Sequence, residues 1–373
     1  MSIKGRILLI LHRSPPYHGA SQMGDFITES AKLHKEYDCE YITIKSSGSI
    51  ETIGLFSLKK MYYFFELYVQ VLRVLISFRP DKIYFTASSK GLAFYRDLAL
   101  STLWKGYCFF RETVIYYHYH TKGVNRFISG SPVKRILTRF FLKNVNLVLL
   151  DPLLKNDFDK VKTYNQIFFL PNGVKDALAM EDFDSYISRK YTKLSKVNVL
   201  YLAHMMRDKG YEKVLELAQQ TKGQNIHYHF AGSWGSLKDE DIFNNYIAKY
   251  NLGNYITYHG FVRGVQKHNL FKKSHILAYP SRNDVFPITL LESLSYGIPV
   301  VATNEGSISS MIDQKSGVIL DDVNRLHAAI ERVNKDLVNI DTAKYCRQRY
   351  TEKFTIDVFE ESFIVILNGK SSL

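Results

Sequence analysis

Residues 283–303 read NDVFPITLLESLSYGIPVVAT and follow the apolar run ILAY at 276–279. The order is strand, loop, helix, strand. Pro287, with its fixed φ and missing N–H, suits the first helical position, and Gly297 followed by Pro299 suits the end. Leu290, Leu291 and Leu294 give this helix an apolar face. A helix that starts at the mouth of a parallel sheet turns unpaired N–H groups and a positive dipole end toward whatever lies there, so anions bind. The backbone of Phe286, Pro287, Ile288 and Thr289 would form that end.

Two acids flank it: Asp284 before the helix and Glu292 in its second turn. Acids repel a phosphate, but they accept hydrogen bonds from hydroxyl groups. A ligand carrying both phosphate and sugar, such as a nucleotide-sugar, matches that pairing. The bland alternative makes Asp284 an N-terminal cap and Glu292 a solvated side chain. The stretch also resembles the acidic signature of the family 4 retaining glycosyltransferases: Glu, seven residues, Glu, then a helix ending in Gly-x-Pro-Val-Val. Asp284 stands at the first acid, a carboxylate on a stem one methylene shorter, and Glu292 at the second. The resemblance implies that the first acid lies by the transferred sugar, the following backbone holds sugar and phosphate, and the second acid holds the ribose.

A chain of 373 residues suits two domains of ordinary size, and its 23% charged and 46% hydrophobic residues are those of a globular protein. Cys39, Cys108 and Cys346 are odd in number and widely spaced, which implies neither a disulfide framework nor a zinc site and points to a reducing cytosol. The apolar run at 7–11 is short for a signal peptide and reads as a first strand. The apolar stretch 61–78 is interrupted by Glu66, Gln70 and Arg73, so a buried or interfacial helix is expected rather than a transmembrane span. Between 101 and 150 lie Lys105, Arg111, Lys122, Arg126, Lys134, Arg135, Arg139 and Lys143 against Glu112 alone, about half of the formal net charge of +13. No nucleic-acid-binding motif accompanies them, so an anionic membrane surface is the expected partner, and a solvated basic face is the alternative.

Strands are expected at 7–11, 41–44, 82–85, 114–117, 147–150 and 167–169, with room for crossover helices between them. After the first comes Pro15-Pro16-Tyr17-His18-Gly19-Ala20, a loop before a helix starting near Ser21. It has neither the Walker ending nor the spaced glycines of a dinucleotide site, which argues against ATP and NAD. It resembles the family's Pro-Pro-x-x-Gly-Gly loop, and Gly19 would let the backbone approach the donor phosphate or the acceptor. The fourth strand runs into His118-Tyr119-His120-Thr121, a spacing open to metal ligation, catalysis or structural burial. The family places a histidine near the donor sugar here. His120 matches, with His118 in reserve.

Pro171-Asn172-Gly173 resembles the family's interdomain turn. Further strands are expected at 197–203, 226–230, 256–259 and 276–279. His204-Met205-Met206-Arg207-Asp208-Lys209-Gly210 resembles the family's Gly-Arg-Leu-x-x-x-Lys-Gly motif, whose Arg and Lys hold the donor diphosphate. Lys209 matches, His204 replaces the arginine, and Arg207 is the substitute cation. Two cations there would offset charge on the leaving group. The bland reading of both is a solvated turn. The resemblance implies that the corner Gly260-Phe261-Val262 lies near the base, while the Asp-x-Asp triplets at 157–159, 182–184 and 239–241 read as surface acids rather than a metal site.

The resemblance implies the α/β GT-B fold, two Rossmann-like domains with parallel sheets facing across a cleft. An acceptor-binding domain would span 1–172, a linker 173–194, a nucleotide-sugar-binding domain 195–349, and a helix at about 350–373 would pack back on the first domain. The expected protein is a cytoplasmic retaining hexosyltransferase, either free or peripheral on the inner face of the cell membrane, that needs no metal or cofactor. Its donor would be UDP- or GDP-linked and its acceptor a lipid-linked glycan of surface polysaccharide assembly. Alternatives are an inactive nucleotide-sugar binding module and an epimerase or hydrolase on the same fold.

Overall fold

The computed structural model describes residues 4–45, 58–192 and 194–370, with the side chains of 58–60 excluded. The chain forms two compact units, Met1–Asn172 with Phe359–Leu373, and Gly173–Val358.

The first unit holds strands β1 (Gly5–Leu11), β2 (Tyr37–Thr43), β3 (Lys82–Ala87), β4 (Val114–Tyr119), β5 (Asn146–Leu149) and β6 (Gln166–Phe169). They pair in parallel in the order β2-β1-β3-β4-β5-β6. Residues 7–11 are all buried, as an unbroken apolar run demands of an inner parallel strand. Helices α1 (Gly19–Glu29), α2 (Ala31–Glu36), α3 (Leu58–Ser77), α4 (Gly91–Tyr107), α5 (Val124–Ile128) and α6 (Pro132–Leu142) make the connections. The right-handed crossover rule puts α3, α4 and α6 on one face of the sheet and α1 on the other. Gly24 brings α1 against β1 so closely that a Cβ would lie 1.9 Å from the His12 carbonyl oxygen.

The second unit runs α7 (Phe183–Thr192), β7 (Val197–Leu202), α8 (Tyr211–Gln220), β8 (Ile226–Ala231), α9 (Leu237–Tyr250), β9 (Ile256–Tyr258) and α10 (Gly264–Lys273). It continues through β10 (Ile276–Tyr279), α11 (Ile288–Ser295), β11 (Val300–Thr303), α12 (Ile308–Met311), β12 (Gly317–Leu320), α13 (Leu326–Asp336) and α14 (Ile340–Lys353). The parallel order is β12-β11-β10-β7-β8-β9. Val199, Tyr201, Tyr228 and Phe230 project from it into a core closed by α8 and α13.

Three local readings change. Helix α1 begins at Gly19, not near Ser21, because a capping box sets the start: His18 Nδ1 accepts the Ser21 N–H at 3.1 Å and Ser21 Oγ accepts the His18 N–H at 3.0 Å. The acidic stretch within 173–194 contains α7, whose buried Tyr186 and Ile187 pack toward α14, a tertiary gain that an aperiodic sequence does not announce. The C-terminal segment is broken at Phe354, and a separate helix α15 (Ile356–Leu367) follows. In the first unit Phe363 of α15 meets the Tyr84 ring edge-on at 4.8 Å, and the Tyr37 hydroxyl donates to Asn368 at 2.5 Å.

Candidate active site

In an open parallel sheet, ligands bind beyond the carboxyl ends of the strands where the strand order reverses. In the second unit that point lies between β7 and β10, and the candidate residues of both loops meet there. After β7 comes a one-turn 3-10 helix, Arg207–Lys209, closed by Gly210 at φ +82. A Cβ on Gly210 would sit 2.3 Å from the Pro280 carbonyl oxygen, so only glycine lets this turn lie on the β10 loop. Lys209 is thereby brought to Asp284: its Nζ donates to Oδ1 at 2.8 Å and to the Asn283 carbonyl at 2.7 Å. Asp284 Oδ2 accepts from the hydroxyls of Tyr279 at 2.9 Å and Ser281 at 2.6 Å. The Lys209 and Asp284 side chains are 18% and 17% exposed.

Asp284 is therefore not a helix cap. Pro287 is the N-cap of α11, with extended backbone (φ −70, ψ 121), instead of its first helical residue. Its missing N–H thus falls one position ahead of the helix, and the first turn leaves the amides of Ile288 and Thr289 without intrahelical partners, whereas Leu290 N–H bonds the Pro287 carbonyl at 3.2 Å. Phe286 is buried, with its ring 6.2 Å from that of Phe354. A Cβ on Gly306, at φ +58, would sit 2.5 Å from the Asp284 carbonyl oxygen, so the loop after β11 backs the acid.

Glu292 is half used. Its Oε1 accepts from Lys267 of α10 at 2.5 Å, and its Oε2, shielded from solvent, has no partner among the described residues. Val262 is buried in the loop leading into α10. Arg207 does not join the Asp284 group: its Nε pairs with Glu212 of α8 at 3.0 Å, and its side chain is 62% exposed. His204 has a shielded, unpartnered Nδ1 among the described residues, and burial first, then Lys209, lowers its pKa. Asp208, given no role by the sequence reading, accepts from the Asn283 amide at 2.9 Å and holds a shielded Oδ1 without a partner among the described residues.

The first unit's reversal lies between β1 and β3. Gly19 opens α1 there, after the β1 loop. His120 follows β4, its ring 4.0 Å from that of His118, and burial followed by His118 and His18 drives its pKa well down. His118 is fully buried, with Nδ1 bonded to the Tyr84 hydroxyl, and burial lowers it to about 3. His12 is lowered to about 3, by burial first and then by Arg96, His18 and His120. The His12 and Tyr84 contributions carry no sequence signal, since each comes singly from its own strand. Thr121 and Ser89 share a hydroxyl bond of 3.0 Å that ties the β4 loop to the β3 loop. Asp157 is not a loose surface acid. It accepts the N–H groups of Gly123, Val124 and Asn125 at 2.6, 2.9 and 2.9 Å, which caps α5. Among the described residues no group of three or more His, Cys, Asp or Glu side chains is arranged to hold a metal ion.

Residues 184–353 match the family described as glycosyl transferases group 1. Over 210 residues the chain is 24% identical to the alpha-1,3/1,6-mannosyltransferase ALG2 of Homo sapiens, 51% of this chain and 50% of that one. Its fold overlays that of the lipopolysaccharide outer core galactosyltransferase WaaB with a TM-score of 0.73, at 14% identity over 98% and 99% of the two chains. It likewise overlays Anabaena Alr3699/HepE, solved in complex with UDP and glucose, with a TM-score of 0.67 at 14% identity over 98% and 99%. The chain spans half or less of the length of the first curated relatives it matches. The family match lies within the second unit, and the chain has the GT-B fold.

Proposed function

We propose that this chain is a retaining glycosyltransferase that moves a hexose from a UDP- or GDP-linked donor to a hydroxyl of a lipid-linked glycan in surface polysaccharide assembly, on the cytoplasmic side of a membrane. One observation carries the reading: a lysine and an aspartate are held together at the reversal point of the second sheet, beside the amino end of α11. In this reading the donor diphosphate takes Lys209 Nζ and the amides of Ile288 and Thr289, which stabilise charge as the bond from the sugar to the diphosphate breaks. Asp284, relieved of Lys209, accepts from a sugar hydroxyl, and Glu292 Oε2 accepts from the ribose. The base is assigned to the Val262 corner. His120 is assigned to the sugar and Gly19 to a phosphate or the acceptor, on the family resemblance. The acceptor oxygen bonds to the anomeric carbon on the face the leaving group vacates, and its proton passes to the departing phosphate. No residue of the chain is consumed and no metal is invoked.

The test is a donor screen with UDP- and GDP-sugars and membrane lipid extract, read by mass spectrometry. Nucleotide release matched one for one by a glycosylated lipid, and lost in Asp284→Asn, is the expected result. Donor binding without turnover across several extracts would make the chain a nucleotide-sugar binding module. Turnover without any acceptor would make it a hydrolase, and an epimerised donor would make it an epimerase.

A further inference from the structure

Helix α6 is apolar on two sides. Thr138, Phe141 and Leu142 are buried against the first unit, while Val133, Ile136 and Phe140 stand 64%, 66% and 46% exposed on the other side. Residues three and four apart share a helix face, so these three form one outward stripe. Arg135, Arg139 and Lys143 follow at four-residue steps along its flank, each exposed. Among the described residues of the unit the most exposed aromatics, Phe109 and Phe110 at 88% and 89%, lie in the turn after α4. Lys105, near the end of α4, joins the two features: its Nζ donates to the Lys143 carbonyl at 2.6 Å and lies 5.4 Å from the Phe140 ring centroid. The carboxyl ends of α4 and α6 are therefore neighbours, with the Phe109-Phe110 turn at that end.

Exposed apolar rows are expected to be covered, and rows edged by cations select an anionic cover. A second copy of this chain would bring the same cations to a two-fold contact, setting like charges together. An anionic leaflet supplies the opposite charge beside an apolar interior. Among the described residues no helix is long and apolar enough to cross a membrane, so attachment of this kind would be from one side.

We propose that the outer face of α6, with the Phe109-Phe110 turn, docks on an anionic lipid bilayer. Phe109, Phe110, Ile136 and Phe140 enter the boundary between headgroups and acyl chains, while Arg135, Arg139 and Lys143 meet lipid phosphates. A second aromatic and basic stretch, Tyr62, Tyr63, Phe64 and Phe65 with Lys59 and Lys60, lies on α3. Tyr62 and Phe65 there are exposed, and the two lysine side chains lie outside the described residues. The face on α6 names the partner of the proposed transferase and rests on that reading only for its purpose, since lipid binding needs no turnover.

The experiment is co-sedimentation of the full chain with vesicles of phosphatidylcholine alone or mixed with phosphatidylglycerol, at about 0.1 M and about 1 M salt. The wild type should bind the mixed vesicles roughly tenfold better than the neutral ones at the lower salt, with most of that preference lost at the higher salt. Ile136→Ser/Phe140→Ser and Phe109→Ser/Phe110→Ser should each weaken binding to mixed vesicles by about tenfold, the loss expected from withdrawing large side chains from an apolar phase. Arg135→Gln/Arg139→Gln should remove the preference for the anionic lipid alone, and it keeps the test decisive if a serine pair fails to fold. Wild-type protein left in the supernatant with mixed vesicles at the lower salt would overturn the proposal. So would variants that bind like wild type, or a dimer dispersed by the serine pairs without any vesicle binding. Vesicle binding intact with no glycosyl transfer would count against the transferase reading alone.

Discussion

Lys209 and Asp284 neutralise each other across 2.8 Å, and that contact makes each of them testable. In the proposed reading a donor diphosphate would compete with Asp284 for the ammonium group, and the exchange of one partner for the other would turn Asp284 toward a sugar hydroxyl. Lys209→Ala removes the cation opposite the leaving group, so kcat/KM should fall by about 10²- to 10³-fold in steady-state assays of donor turnover. Glu292 makes a different demand. Its Oε1 is held by Lys267 while Oε2 remains unpartnered among the described residues, and in the proposed reading its contribution would be ground-state binding of the nucleotide. Glu292→Gln should raise the donor KM by roughly tenfold or more, the worth of a hydrogen bond to a charged acceptor, with kcat much less changed. A fall in kcat at constant KM would assign Glu292 to the chemical step instead.

At the scale of elements, the Lys209 turn depends on Gly210. Two constraints act on it, a left-handed backbone at φ +82 and a carbonyl oxygen 2.3 Å from where a Cβ would stand. Gly130 provides the comparison, at φ +75 with nothing within 4 Å. Gly130→Ala should cost only the backbone strain, about 1–2 kcal/mol in denaturant unfolding. Gly210→Ala adds the clash, so its loss should be larger by roughly 1–3 kcal/mol, the scale of an overpacked site. Donor affinity should fall with it, because Pro280 and Lys209 cannot both keep their places. Equal losses at the two glycines would show that the β10 loop yields. In the first unit Asp157 has the corresponding task for the loop after His120-Thr121, since its carboxylate holds three backbone N–H groups.

For the whole molecule, stability is linked to pH through histidines that folding keeps neutral. Burial, the largest cause in each case, lowers His12, His118, His229 and His275 to about 3 from 6.5. Between those values the unfolded chain binds more protons than the folded one, so stability rises with pH through this window. It is fully present above about 6.5 and is lost as the pH falls toward 3. The urea midpoint should therefore drop steadily from pH 7 to pH 5. His118 lies at 0% exposure, and its share of the slope is on the order of 1.4 kcal/mol per pH unit. His118→Gln should flatten the dependence by about that amount, and an unchanged slope would mean that His118 binds its proton as readily in the folded chain as in the unfolded one.

The sequence by itself determined the alternation of strands and helices and thus the two parallel sheets. That information is local: the unbroken apolar runs of β1 and β10, and the proline and glycine that bound α11, act within a few residues of themselves. Lys209, Asp284 and Glu292 were legible as candidates for the same reason, because each sits in a short patterned stretch. Only the tertiary structure decided who meets whom. Asp284 takes Lys209 from 75 positions away because the sheet order sets β7 beside β10, and Arg207 turns to Glu212 instead. His12 and Tyr84 join His118 and His120 through the same kind of adjacency, between β1, β3 and β4. The outward stripe of α6 was equally hidden, since an apolar residue three positions from another looks the same in sequence whether its face is buried or bare. Strand order and helix orientation are set by packing between distant segments, and no local pattern carries them.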